Sequence, residues 1–172
     1  MKIYSLLAEK KPDVLKKWFA LILETYPKET SSFLKSQNSQ TRNPVTQAIY
    51  EGIEGIFNGL VHEDDEDKLN IYLDNVIRVR AIQDFSPSEA VSFIFSLKEV
   101  IRKELDKEIC DPKMFKELLG LETRIDSLAN SAFEIYMKCR EKIYEIKANE
   151  MRNWTYRALH KTGFYKEVRT EE

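Results

Sequence analysis

The sequence predicts an all-α fold, and three observations carry that expectation. Apolar residues recur at steps of three and four through long segments, the period of one face of a helix. All five prolines stand where a helix could begin, a position at which their missing N–H costs nothing. Five glycines and five prolines among 172 residues are few for an all-β protein. The expected architecture is a compact helical bundle with a long C-terminal helix that projects from it. Residues 1–160 form one domain in this reading, and 161–172 a flexible tail.

Taken in order, Met1 to Glu9 is a short helical lead-in carrying Ile3, Leu6 and Leu7. A helix from Pro12 to Thr25 places Leu15, Trp18, Phe19, Ile22 and Leu23 on one face, with Lys10, Lys11, Lys16 and Lys17 near its start. Those lysines read as a solvated face, because no glycine-rich loop accompanies them to make a phosphate cradle. Pro27 to Lys35 is a weak short helix and Ser36 to Arg42 a polar loop.

Asn43-Pro44 opens a helix to Val61 with Val45, Ala48, Ile49, Ile53, Ile56, Phe57 and Leu60 inward. Gly52, Gly55 and Gly59 weaken it by roughly 0.5–1 kcal/mol each. Their spacing makes a flat strip against which another helix packs closely, the alternative being room for a ligand. The acidic run His62 to Asp67 lacks the alternating oxygens, glycine and distal glutamate of a calcium loop, and reads as a solvated turn.

The next helix has Leu69, Tyr72, Leu73, Val76, Ile77 and Val79 on one broad arc, and Arg80, Gln83 and Asp84 fall inside that arc. Arg78 and Asp74 lie off it as an i,i+4 surface pair. Ser86-Pro87-x-Glu89 then writes a helix start in full, with N-cap, proline at the first position and capping box. The helix from Pro87 to Leu105 carries Ala90, Ile94, Leu97, Ile101 and Leu105, widened by Val91, Phe93, Phe95 and Val100, and is expected to be central.

After Asp111-Pro112 the pattern stays helical, with a break expected at Gly120. Leu121, Ile125, Leu128, Ala132, Ile135, Cys139, Ile143 and Ile146 follow at steps of four and three. A helix over 121–158 would be about 57 Å long at ~1.5 Å per residue. A domain of this size cannot cover that length, so the distal part is expected to project, pair with a second copy or meet a partner. Arg152, Trp154, Tyr156 and Arg157 there have the composition of an interaction surface.

A formal net charge of −2 and a pI near 5.9 speak against general nucleic-acid affinity. No apolar run approaches the ~18–20 residues of a membrane span, and the start lacks a secretory pattern. The expected setting is cytoplasmic, with Cys110 and Cys139 as buried or half-buried thiols and no metal site. His62 and His160, the only histidines, lie outside any mid-helix apolar pocket, so haem ligation is not expected. No nucleophile elbow, phosphate loop, dinucleotide fingerprint or Cys-x-x-Cys is present, so the expectation is a protein without catalytic activity or cofactor.

What stands out is the stretch from Arg78 to Val91, the end of the helix carrying Leu69 to Val79, a two-residue corner and the start of the helix at Pro87. Polar groups on a core-facing stripe cost roughly 1–3 kcal/mol each when unsatisfied, and a charge more. Arg80 and Asp84 are therefore expected to pair with each other or with neighbouring helix ends. One reading of the Arg78, Arg80, Gln83 and Asp84 cluster is a structural network that sets an interhelix angle. Another is a small polar pocket that senses a ligand or ion, and a third is an exposed protein-contact surface.

Asn43-Pro44, then Leu73-Asp-x-x-Ile-Arg-Val-Arg-Ala-Ile-Gln-Asp-Phe-Ser-Pro-Ser-Glu-Ala-Val91, then Phe93 to Ile101, resembles the N-terminal sensor domain of the RsbRD type of RsbT co-antagonist. Phe133 to Glu145, with Asn149-Glu150, looks like that family's final helix. The resemblance implies a regulatory input domain of stressosome or histidine-kinase contexts. It also implies a non-haem globin-like bundle, a homodimer with a protein partner in a signalling complex, and a final helix that carries the signal to an output domain. The sequence ends at Glu172 without such an output domain, as either a stand-alone relative or a piece of a longer protein. A protein-binding adaptor using the exposed end of the last helix, with no small-molecule ligand, is the alternative expectation.

Overall fold

The computed structural model describes residues 2–31, 43–62 and 65–161; among them there are helices and no strands. The helices are α1 (Lys2–Glu9), α2 (Lys11–Glu24), α3 (Pro44–Val61), α4 (Glu66–Ile82), α5 (Pro87–Leu105) and α6 (Pro112–Lys161). Residues 28–31 add a helical turn after Pro27, while the expected loop from Ser36 to Arg42 lies outside the described residues.

The starts are set by side-chain caps. Asn43 Oδ1 accepts from the amide of Val45 at 2.9 Å, Asp65 Oδ1 from Asp67 at 3.2 Å, and Asp111 Oδ1 from Met114 at 2.8 Å. Each removes one of the donors a helix leaves unpaired at its first turn. Pro44, Pro87 and Pro112 are the first residues of their helices, as the proline spacing predicts.

The chain divides into two compact units, residues 1–137 and 138–172. In the first, α3 packs along α4, α2 against α5 and α3, and α1 against α2 and α3. Its core is Trp18, Ile22, Ile53, Phe57, Leu73, Ile77, Phe93, Leu97, Leu121 and Ile125 with their neighbours. Trp18 stacks on Phe93 and donates its Nε1–H to the Phe93 carbonyl at 2.6 Å, which ties α2 to α5 and satisfies a buried polar edge. In the second unit most side chains of 138–161 are exposed.

Gly52 and Gly55, two of the three glycines of the expected strip, pack closely against α4. A Cβ on Gly52 would lie 2.3 Å from a Val76 methyl carbon and 3.2 Å from the Tyr72 carbonyl, and one on Gly55 would meet the Tyr72 ring. The strip lets α3 and α4 approach to backbone distance.

Four expectations are corrected. The last helix starts at Pro112 and not near 121, and it runs through Gly120, which is exposed with no heavy atom near its Cβ position. One glycine costs about 1 kcal/mol, which burial of Met114 and Leu118 before it and Leu121 and Ile125 after it outweighs. Phe95, counted on the apolar stripe of α5, is 49% exposed because it sits at the edge of that face. Cys110 is exposed in the turn before α6, while Cys139 is half-buried. The lysines near α2 are not merely solvated: Lys10 pairs with Glu108, Lys11 with Glu54 and Lys17 with Glu104, each on a segment distant in sequence.

Candidate functional site

The corner between α4 and α5 is built from its backbone outward. Gln83 caps α4, Asp84 follows at φ 59°, and the amide of Phe85 returns to the carbonyl of Arg80. This is the six-to-one bond of a Schellman ending, with aspartate in the left-handed position glycine usually fills. Ser86 then starts α5. Its hydroxyl oxygen accepts from the Glu89 amide and its own amide donates to Glu89 Oε2 at 3.0 Å, which completes the capping box. The Ser86 hydroxyl in turn donates to Glu89 Oε2 at 2.6 Å, and that bond first, with the one from the Ser86 amide, holds the Glu89 carboxyl below its ordinary pKa.

This backbone path folds the ring of Phe85 over Arg80, whose guanidinium carbon lies 4.1 Å from the ring centroid. In a Schellman ending an apolar pair usually stands here; a cation–π contact takes its place. Tyr26 and Phe93 stand 5.8 and 5.7 Å from the same carbon. Arg80 is completely buried. Its Nη2 donates to Thr25 Oγ1 at 3.0 Å and to the Glu89 carbonyl at 2.9 Å, while Nε and Nη1 have no partner. Burial lowers the guanidinium's pKa from its ordinary value, opposed by the nearby Tyr26 and Glu89.

Tyr26 closes the arrangement. Its hydroxyl donates to Gln83 Oε1 at 2.8 Å and its ring meets Phe85 edge-on at 5.0 Å. Burial raises the phenol's pKa, with Arg80 pulling the other way. In front of this aromatic wall lies a cleft of about 530 Å³ between the Thr25 to Thr30 turn and the Gln83 to Glu89 corner. The hydroxyl of the buried Tyr136 on α6 donates to the carbonyl of Phe85.

Of the four residues the sequence placed in the cluster, the structure brings Arg80 and Gln83 together through Tyr26. Asp84 is exposed at the cleft rim, and Arg80 joins neighbouring helix ends, at Thr25 and Glu89, rather than Asp84. Arg78 stands apart, exposed and paired with Asp74 one turn before it. Thr25, Tyr26 and Tyr136 were not foreseen. Their link to the corner spans more than fifty positions of sequence, beyond the reach of helical periodicity. The one local signal was a Thr-Tyr-Pro helix end, whose tyrosine falls on the buried side.

In the second unit Trp154 is 72% exposed and Tyr156 52% exposed, the latter with its ring against His160. A shallow hollow there is lined by Trp154, Tyr156, Arg157 and the residues that follow. Arg152 is exposed beside them. Among the described residues no group of side chains could hold a metal ion, and no helix is long and apolar enough to cross a membrane.

The class of the chain follows from its family. The chain belongs to the family of the RsbT co-antagonist protein RsbRD N-terminal domain, whose model matches residues 12–151, and that family is one of stressosome-related signalling domains. No curated protein and no solved structure matches the chain.

Proposed function

We propose that the chain is a cytoplasmic, non-catalytic signal-input domain. It acts as a homodimer through helix–helix contacts and receives its signal at the Tyr26–Gln83–Phe85 cleft. The observation that carries this reading is the double use of Phe85. Its ring lines the cleft and covers Arg80, and its carbonyl holds Tyr136 on the helix that ends at Lys161. A ligand that moves the corner therefore changes a hydrogen bond on the final helix, a local change of the kind a two-state regulatory element amplifies.

Native mass spectrometry of the gently purified full chain tests the reading. A dimer carrying a displaceable small mass that is lost in a cleft variant such as Thr30→Trp supports it. A monomer, or a dimer whose added mass is unchanged by that variant, refutes it. The exposed Trp154 and Tyr156 favour a second reading, an adaptor that docks a protein partner with 138–161 and needs no ligand. Truncation after Ala148 should then abolish partner binding and leave the first unit folded.

A further inference from the structure

The last stretch of α6 is charged unlike the rest of the chain. Residues 138–161 hold seven lysines and arginines against three glutamates, a net charge of +4, so the remaining residues of a chain whose total is −2 carry −6. Tyr144, Lys147, Met151, Trp154, Ala158 and Lys161 follow one another at alternating steps of three and four. That spacing puts them on one helix face, as in a coiled-coil seam about 26 Å long at ~1.5 Å per residue.

Tyr144, Met151 and Trp154 are each more than half exposed. Arg140 donates to the Tyr144 hydroxyl at 3.0 Å and lies 5.0 Å from its ring. Lys147 and Lys161 are exposed and make no hydrogen bond or ion pair among the described residues. Lys142 and Glu145 pair with each other on the opposite side, where Glu141 also falls. Arg157 and Glu150 flank the seam along one edge, so its side of the helix carries four cations against one carboxylate. Trp154, Arg157 and Lys161 lie beyond the matched residues 12–151, so the family match does not account for them.

Whatever covers this face must satisfy a lysine set between two apolar anchors. Lys147, between Tyr144 and Met151, needs a carboxylate opposite it. A second copy in parallel register would set Lys147 against its own counterpart, and in either direction +4 against +4, so like charges oppose self-pairing. A lipid surface takes an unbroken apolar face, and Lys147 interrupts this one.

We propose that this face docks an acidic helix of a partner protein, with apolar side chains on Tyr144, Met151 and Trp154 and a carboxylate on Lys147. The proposal rests on the reading of 138–161 as a docking surface and adds the chemistry of what covers it. Met151 and Trp154 supply the apolar contact, and the cations beside them fix the register and disfavour neutral and basic helices.

The test uses the full chain and three designed helices of about four heptads, which share an apolar seam and carry glutamate, glutamine or lysine beside it. The readout is the indole Nε1–H resonance of Trp154 in nitrogen-15 NMR spectra. The other tryptophan, Trp18, is buried with its Nε1–H on the Phe93 carbonyl and serves as the unmoved reference. The glutamate helix is expected to shift the Trp154 signal saturably, about tenfold more tightly than the glutamine helix, and to weaken as salt is added. Lys147→Glu should raise its Kd about tenfold and favour the lysine helix instead, while Glu150→Gln should lower it. Both positions are exposed, so neither change disturbs the fold.

Equal binding of the glutamine and glutamate helices overturns the acidic partner and leaves the docking surface. Silence of Trp154 toward all three overturns both. A Trp154 signal that moves with the concentration of the chain alone overturns the proposal in favour of a second copy. A preference for phosphatidylglycerol vesicles over the glutamate helix overturns it in favour of a membrane surface.

Discussion

Arg80→Met is expected to change the stability of the domain by less than about 2 kcal/mol, whereas Arg80→Ala costs about 3–5 kcal/mol. The magnitudes follow from the neighbours of the guanidinium. Methionine forfeits two hydrogen bonds to a charged donor, worth roughly 1.5–3 kcal/mol each. It also removes two buried nitrogens with unpaired donors, which cost roughly 1–3 kcal/mol each. The acceptors left behind are not orphaned. Thr25 Oγ1 still donates to the Ile22 carbonyl at 2.7 Å, and the Glu89 carbonyl still accepts from Ser92 Oγ at 2.8 Å. The stack on Phe85 is exchanged for a sulfur–aromatic contact of roughly 0.3–1.5 kcal/mol. Alanine loses the same bonds and in addition opens a cavity among Tyr26, Phe85 and Phe93. Urea unfolding followed by far-UV circular dichroism separates the two variants. If methionine costs as much as alanine, the bonds of Arg80 are what stabilises the joint.

Three further outcomes are expected. Gly52→Ala should destabilise by about 1–2 kcal/mol, since overpacking of roughly 1–3 kcal/mol against Val76 and the fixed Tyr72 carbonyl exceeds the helix-propensity gain; Gly55→Ala, whose Cβ would fall 2.2, 2.4 and 2.5 Å from three atoms of the Tyr72 ring, its root carbon among them, should destabilise by at least about as much, and denaturant midpoints decide both. Ser86→Ala should cost about 1 kcal/mol by loss of the cap, seen as an earlier melting midpoint. The Tyr26 phenol has a folded pKa raised above its ordinary value of 10.0, so its contribution to stability is fully present below pH 10 and is lost as pH rises from there through the folded pKa. Stability measured against pH should therefore fall more steeply above pH 10 in the wild-type chain than in Tyr26→Phe.

Most of the helical framework was legible because its signals are local. Asn43-Pro44 and Ser86-Pro87-x-Glu89 place the starts of α3 and α5 at the residues where they occur, and the expected ends at Val61 and Leu105 also agree. The strip of Gly52 and Gly55 pointed to a close helix crossing because a missing Cβ has few other uses in a helix interior. Gly120 misled for the complementary reason: propensity is a weak local preference, and packing on both sides overrode it. The candidate site was half legible. Arg80 and Gln83 declared themselves as polar groups on an apolar arc, but Tyr26 and Tyr136 are ordinary aromatic residues in their own helical patterns. Only the folded chain brings them to the corner, Tyr26 against the ring of Phe85 and Tyr136 on its carbonyl.

That position of Phe85 makes the corner experimentally separable. Its contact with α6 is made by the backbone carbonyl, which no substitution at residue 85 deletes, while its contact with Arg80 and Tyr26 is made by the ring. Phe85→Leu therefore loosens the cleft side alone, and Tyr136→Phe severs the α6 side alone. A double-mutant cycle on the two measures how much free energy passes between the cleft and the final helix. A coupling near zero would mark two independent contacts that share a residue, and a sizeable one would mark a single thermodynamic joint.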